Sequence, residues 1–384
     1  MPDNTRRDRF VTDVLHGGDK SVGATLARAG LAGLAGLHRI GLETYLLPYN
    51  TGVRRRYRLP VPVVAIGNLS SGGTGKTPMA ALVARNLHNA GKRVALLSRG
   101  HGGSGESGYS SRIVSDGQRI LLGPEEAGDE PVLLARLLPG VPVVVGRDRR
   151  RSGRLALSFF RPEVLVCDDA LQYWQLHRDL DIVLLDARHP FDNGYVLPRG
   201  LLREPPSHLS RAGVVVLTRA DRVPQNELAA TVARVQKLAP RAEVLTARHA
   251  PLGWVPESDG SILAVSALEG LPVLAFSGIA DGDAFAQTVQ NLGANVVVRR
   301  DFGDHHAYTP GDIAELTRDA QAPNIRAAVT TEKDLVKAAL LWPPTAPPLY
   351  ALRIGMCVEN EARLWQRLQT VFEANALLAP QNGE

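Results

Sequence analysis

Aromatic residues are scarce in this chain, 5% of 384 residues, and apart from the single Tyr57 they are not interleaved with its basic runs. The stacking platforms that single-strand nucleic-acid binders need are therefore missing. Helix-turn-helix, zinc-finger and RNA-binding aromatic signatures are missing as well, so nucleic acid is not an expected partner. Cysteine is scarcer still: Cys167 and Cys357 stand far apart and form no CxxC, which argues against a disulfide framework and a zinc ribbon. Cys167 lies in an apolar run and reads as a small buried hydrophobe in a reducing compartment. No cleavable signal peptide is expected, because residues 1–20 are polar and charged without an apolar core. No stretch offers the run of about 20 apolar residues that a membrane-crossing helix requires. Internal repeats and low-complexity tracts are absent too.

What is present supports a large core: 44% of the residues are apolar, and the length allows two or three domains. A net charge of +5 suits an anionic partner, either a phosphorylated substrate or an anionic membrane surface. The stretch Val22 to Leu47 is a helix rich in small residues, with Leu31, Leu34, Leu42 and Tyr45 roughly on one face. Glycine weakens a helix in water by about 1 kcal/mol relative to alanine, yet is tolerated at lipid or helix interfaces. Arg28, Arg39 and Glu43 interrupt the apolar run, so two readings stay open: a helix lying on a membrane surface, aided by the basic run Arg54-Arg55-Arg56-Tyr57-Arg58, and a soluble helix capping the main domain.

From residue 60 the pattern alternates strand, turn and helix. Strands are expected at 62–66, 93–98, 141–145, 164–168, 181–186 and 213–217, then at 271–276, 294–299, 326–330 and 348–353. This predicts an α/β fold, a mostly parallel sheet covered by helices. Four regions follow: 1–58, the N-terminal helix and basic segment; 59–240, a phosphate-loop core; 241–268, a linker or small β-ribbon; and 269–384, a smaller α/β domain.

The first strand runs into Ser70-Ser71-Gly72-Gly73-Thr74-Gly75-Lys76-Thr77. Glycines let backbone N–H groups face phosphate oxygens. Lys76 then neutralises the β- and γ-phosphates, and the Thr77 hydroxyl binds Mg²⁺. Pro78 suits the first turn of a helix whose positive end points at the same place. One departure stands out: the strict pattern asks for glycine where Ser70 stands. A nucleotide site with Mg²⁺ also needs an acidic residue at the end of a neighbouring strand. "EVLVCDDALQ" supplies Asp168 and Asp169, two adjacent carboxylates that repel without a cation. Capping a helix is the alternative role for either.

Further stretches carry chemistry-bearing residues. "GDEP" places Asp129 and Glu130 before a helical run, where acidic residues also serve as caps. "DFGDHH" places Asp304, His305 and His306 after a strand of the second domain; a transition-metal reading has no matching Cys or His cluster nearby. "LPRGLLREP" carries Arg199, Arg203 and Glu204, and "GRDRRRSGR" is a dense basic run. The latter reads either as a solvated helix face or as a contact for a substrate phosphate or anionic lipid.

Eight stretches in order, "VPVVAIGNLSSGGTGKTP", "LLSRGHGG", "GDEPVLLA", "DDALQYWQLHRDLDIVLLD", "LPRGLLREP", "AFSGIADGDAF", "DFGDHHAYT" and "TTEKDLVK", resemble the tetraacyldisaccharide 4'-kinases. The resemblance runs from about residue 25 to about residue 355. It implies an ATP-dependent kinase that moves the γ-phosphoryl to the 4'-hydroxyl of a lipid disaccharide 1-phosphate. It implies ATP and Mg²⁺ as cofactors and a protein peripheral to the cytoplasmic face of the bacterial inner membrane; a monomer is expected. Ser70 is no anomaly in that family, which has Ser or Thr at that place. The resemblance makes Asp129 the base, coupled to His305, with Asp304 as orienter. It puts Arg203 and Glu204 near the γ-phosphate and Mg²⁺; Gln172, by its spacing, sits one helical turn after the Asp pair, where it can orient a phosphate or a water. Ala170, Leu171, Tyr173 and His101 depart from the family's usual text, which puts finer nucleotide or sugar contacts in doubt.

The rival is a phosphate-loop ATPase or GTPase switch, or a metallochaperone. Several such proteins use a lysine where Ser71 stands. "LTRAD" at 217–221 has the Asp of a guanine-recognition motif but neither its Asn nor its Lys.

Overall fold

A computed structural model describes residues 18, 20–104, 110–258, 261–279, 281–304 and 306–378. In chain order the strands are β1 Val63–Asn68, β2 Val94–Ser98, β3 Arg112–Ser115, β4 Val143–Val145, β5 Val164–Cys167 and β6 Leu180–Asp186; then β7 Val214–Thr218, β8 Glu243–Pro256, β9 Pro272–Ser277, β10 Asn295–Asp301, β11 Ala327–Thr331 and β12 Leu349–Val358. Five helices matter below: α1 Val22–Asn50, α2 Lys76–Asn89, α3 Asp129–Leu137, α4 Gln225–Leu238 and α5 Glu332–Ala338. Every strand expected from the alternation is present and starts within two residues of its expected position. The α/β class is thus as read.

The chain divides into two compact units. One combines the residues up to Lys76 with Val164–Arg248 and the segment from Val358 on; the other combines Thr77–Glu163 with His249–Cys357. In the first unit the strands lie in the order β8-β7-β6-β1-β5, all parallel. All six residues of β1 and all five of β7 are buried. A parallel sheet is covered on both faces, which is why these strands read as continuous Val, Ile and Leu rather than as alternation. Leu69, Leu171, Val183, Leu185, Phe191, Leu202, Val215 and Leu217 form a core with Leu228 and Val235 of α4.

Gly67 shows how tightly that core is drawn around the loop after β5. A Cβ at Gly67 would lie 2.4 Å from Leu171 Cβ and 3.0 Å from Leu171 N. The Ala170 amide also donates to Ile66 O at 3.1 Å. Backbone cannot yield as a flexible side-chain end can. Gly67→Ala is therefore expected to cost about 1–3 kcal/mol of stability by overpacking. A urea midpoint within experimental error of the wild type would contradict this.

Helix α1 begins at Ser21, whose hydroxyl accepts from the Ala24 amide at 3.1 Å. Its inward stripe is Ala24, Ala35, Leu46 and Tyr49, with Leu31 and Leu42 half-buried. Leu34 and Tyr45, read from the sequence as sharing a face with Leu31 and Leu42, point outward, together with Leu26, Leu37, Ile40 and Leu47. The 3.6-residue repeat separates them. Among the described residues no helix is long and apolar enough to cross a membrane.

In the second unit β2 and β4 are parallel and β3 pairs antiparallel with β4. A further parallel group runs β10-β9-β11-β12. Its cores hold Phe276, stacked on Trp342 at 6.0 Å and edge-on to Tyr308 at 5.7 Å, and Trp254, whose ring N–H donates to Val265 O at 2.9 Å. Helices α3 and α5 pack against each other. Strand β3, four residues long and half polar, is absent from the expected strands. Residues 243–256 form one 14-residue strand, and Trp254 bridges back to Leu263.

Candidate active site

The phosphate loop leaves β1 at Asn68 and enters α2 at Lys76. Gly72 and Gly75 take positive φ, +129° and +89°, which L side chains rarely adopt. Asn68 is buried, and its side-chain amide donates to Gly72 O at 3.3 Å and to Thr74 Oγ1 at 3.1 Å. The "LPRGLLREP" segment braces the loop's other edge. The Ser71 amide donates to Leu201 O at 2.7 Å, and the Arg203 amide donates to Leu69 O at 2.6 Å. Arg219, at the end of β7, donates to Gly73 O at 2.7 Å while also binding Asp186. Two loop carbonyls are thus turned onto protein donors and away from an arriving anion. A cavity of about 260 Å³ opens here, lined by residues 70–74 with Asp186, His189, Asp192 and Leu201. The N-terminus of α2 adds its positive dipole end.

The loop after β5 supplies the acidic groups. Asp168 is 1% exposed, and Asp169 takes a left-handed φ of +48°. The Asp169 carboxylate accepts from Arg203 Nη1 at 3.1 and 3.3 Å and lies 3.8 Å from Lys76 Nζ. The same Arg203 nitrogen is 3.5 Å from Gln172 Oε1, and Gln172 Nε2 donates to Asn68 O at 3.0 Å. Lys76, Asp169, Gln172 and Arg203, nominated from stretches far apart in the chain, come together.

Glu204, expected near Mg²⁺, has two side-chain partners in the folded chain. Its side chain is fully buried. Arg211 holds both of its oxygens, at 3.0 Å to Oε1 and 2.8 Å to Oε2, and His208 Nδ1 lies 2.8 Å from Oε2. Burial pushes the carboxyl up, but His208 and Arg211 outweigh it and hold Glu204 below the usual glutamate range. The basic run is partly structural too. Asp148 caps its helix, Arg150 pairs with Asp148 at 2.7 Å, and the buried Arg149 donates to Gly146 O at 2.9 Å.

In the second unit Asp129 opens α3 directly after Gly128, whose φ is +90° and whose Cβ would lie 2.5 Å from His101 O. "SRGHGG" and "GDEP" are therefore folded onto one another, and glycine at 128 is required on both counts. Lys337 of α5 reaches Asp129 Oδ2 at 3.3 Å and donates to His306 O at 2.6 Å, while Asp334 lies 3.9 Å away. One turn earlier Lys333 pairs with Asp304 at 3.4 Å. The "GDEP" and "DFGDHH" segments are thus gripped by two lysines spaced i, i+4 on one helix. His305 lies outside the described residues. His306 is stacked on Phe302 at 4.7 Å and its Nε2 lies 3.1 Å from Asp312, the position of a structural histidine. Sequence reading nominated none of Asn68, Lys337, His208 and Arg219. Only the two lysines left a trace, the helical spacing inside "TEKDLVK".

Comparison with known proteins gives a consistent result. A model of the tetraacyldisaccharide-1-P 4'-kinase family matches residues 27–373. A tetraacyldisaccharide 4'-kinase from Anaeromyxobacter sp. (strain Fw109-5) is 44% identical over 351 residues, 91% of this chain and 92% of that protein. One from Desulfatibacillum aliphaticivorans is 40% identical over 376 residues, 96% of this chain and 98% of that protein. A crystal structure of LpxK from Aquifex aeolicus in complex with ATP superimposes with a TM-score of 0.73 at 31% identity, covering 90% of this chain and 99% of that one.

Proposed function

The chain belongs to the tetraacyldisaccharide-1-P 4'-kinase family, and we propose how its residues divide the work of that reaction. The reaction moves the γ-phosphoryl of ATP to the 4'-hydroxyl of a tetraacyldisaccharide 1-phosphate and yields the bis-phosphorylated lipid A precursor. Residues Ser70, Ser71, Gly72, Gly73, Thr74, Gly75 and Lys76 hold the triphosphate, with Lys76 on the β- and γ-phosphates. Arg203 bears on the transferring phosphoryl and Gln172 fixes its orientation. The observation that carries this reading is the convergence of Lys76, Asp169, Gln172 and Arg203 at the mouth of the phosphate loop. The switch reading is set aside by the match to the kinase family over residues 27–373.

Among the described residues no three His, Cys, Asp or Glu side chains form a metal cluster. That fits Mg²⁺, a hard ion that keeps waters and phosphate oxygens and takes only one or two protein ligands. Thr77 and Asp168, both oxygen donors, are the proposed ligands, with Asp169 beside them; bound Mg²⁺ neutralises charge building on the phosphoryl oxygens. Glu204 serves the site by bracing the backbone of Arg203 and not as a ligand. Asp129 accepts the 4'-hydroxyl proton, Lys337 holds it in place, and Asp304 with His305 complete the acceptor machinery.

The protein acts as a monomer. The outward apolar stripe of α1 and the run Arg54 to Arg58 seat it on the anionic cytoplasmic face of the inner membrane.

Asn68→Ala tests the loop architecture. It removes both bonds to Gly72 and Thr74, worth about 2 kcal/mol, so KM for ATP should rise roughly 30-fold while kcat falls less. An unchanged KM would show that the loop needs no such brace. The whole assignment is tested by incubating enzyme, ATP and a disaccharide 1-phosphate lipid with and without Mg²⁺, then weighing the lipid. One added phosphoryl that depends on Mg²⁺ is expected, and equal transfer in excess chelator removes the metal role.

A further inference from the structure

His208 lies in the short 3₁₀ turn Pro206–Arg211, outside every residue assigned above to nucleotide or acceptor. Its Nδ1 is 2.8 Å from Glu204 Oε2, and its Nε2 is 3.0 Å from Glu43 Oε1 on α1. Its side chain is mostly buried, and its ring meets Trp174 edge-on at 6.2 Å between centroids. Arg211 closes the arrangement: it holds both oxygens of Glu204, donates to Leu171 O at 3.3 Å and lies 4.4 Å over the Trp174 ring. Trp174 in turn packs on Leu46 and Tyr49 of α1.

These contacts join three things. Glu204 follows Arg203 directly, and a fully buried carboxylate with fixed partners fixes the backbone from which Arg203 reaches Asp169. Trp174 ends the segment that carries Asp169 and Gln172. Helix α1 contacts both segments, one through the Glu43–His208 hydrogen bond and one through apolar packing. Packing alone would hold α1 in place, so stability does not require Glu43 and His208 to meet. A chain of charged hydrogen bonds adds orientation, because each member restricts the next.

We propose that His208 is a positioning residue for phosphoryl transfer: bridging Glu43 and Glu204, it locks the Arg203 segment to the N-terminal helix, so that seating of α1 sets kcat. This rests on the reading that Arg203 acts on the transferring phosphoryl. Glu43 is nearly half exposed, so Glu43→Ala removes one end of the bridge without opening a core.

The test is a double-mutant cycle on the full chain, with kcat, KM for ATP and the thermal midpoint read for each variant. Glu43→Ala should lower kcat about tenfold with the thermal midpoint nearly unmoved; His208→Phe should lower kcat somewhat more and, because it takes a partner from the buried Glu204, should lower the midpoint as well, with KM for ATP changed less than about twofold in both. Glu43→Gln, which keeps an acceptor for the ring, should restore most of the loss. In an Arg203→Ala background, Glu43→Ala should have no further effect. If Arg203→Ala itself leaves kcat intact, the parent reading fails. If Arg203→Ala lowers kcat but Glu43→Ala is silent, or multiplies fully with it, the bridge is structural only and this inference is overturned.

Discussion

Replacing Lys76 with alanine is expected to lower phosphoryl transfer by about a thousandfold, equivalent to roughly 4 kcal/mol of transition-state stabilisation. The size follows from its task. The γ-phosphoryl carries spreading negative charge as it leaves ADP, and Lys76 is the cation delivered by the loop itself. The fold should survive. Lys76 begins α2 and its partner Asp169 stands 3.8 Å away, a weak pairing, while Asp169 keeps the closer Arg203. Turnover, ATP affinity and the urea midpoint should therefore separate: turnover collapses, affinity falls modestly and stability holds. A variant that retains a tenth of wild-type turnover would place the nucleotide elsewhere.

The second large effect is at Asp129. Asp129→Asn keeps the shape and the helix start but cannot take a proton, so turnover should fall by about 10²–10⁴. ATP affinity should not move, because the proposed role of Asp129 is at the acceptor hydroxyl. Lys337→Met is the companion variant. It leaves a carboxylate at 129 without its cation and frees the His306 carbonyl, so a loss of roughly tenfold is expected, with Lys337→Arg recovering part of it. Single-turnover rates with lipid acceptor, beside equilibrium binding of an ATP analogue, read both. Normal single-turnover rates in Asp129→Asn would move the base to another residue.

Much of this was legible in the sequence because it is local. Strands buried on both faces announce themselves as unbroken apolar runs, and a glycine-rich turn ending in Lys and Thr announces an anion site. The Asp pair was legible for the same reason, since it ends such a run. What escaped were partners fixed by tertiary packing. Asn68 looks like the polar end of a strand, and only the folded loop shows its amide tying Gly72 to Thr74. Lys337 and Asp129 are separated by 208 positions, 337 minus 129, and Glu43 and His208 by 165. No periodicity reports such pairs. The resemblance put Glu204 near Mg²⁺; its burial and its contacts with His208 and Arg211 are tertiary and left no mark in the sequence. The face of α1 was misread at Leu34 and Tyr45 because glycines blur the hydrophobic stripe.

We propose that ATP held at Lys76 gives its terminal phosphoryl straight to the lipid. The direct measurement is label transfer from γ-labelled ATP to a tetraacyldisaccharide 1-phosphate, with the labelled position mapped on the sugar. Label on the 4'-oxygen, in step with ADP formation and lost in Lys76→Ala, is the predicted result. Label recovered only as inorganic phosphate, or a lipid product formed undiminished by Lys76→Ala, would contradict it.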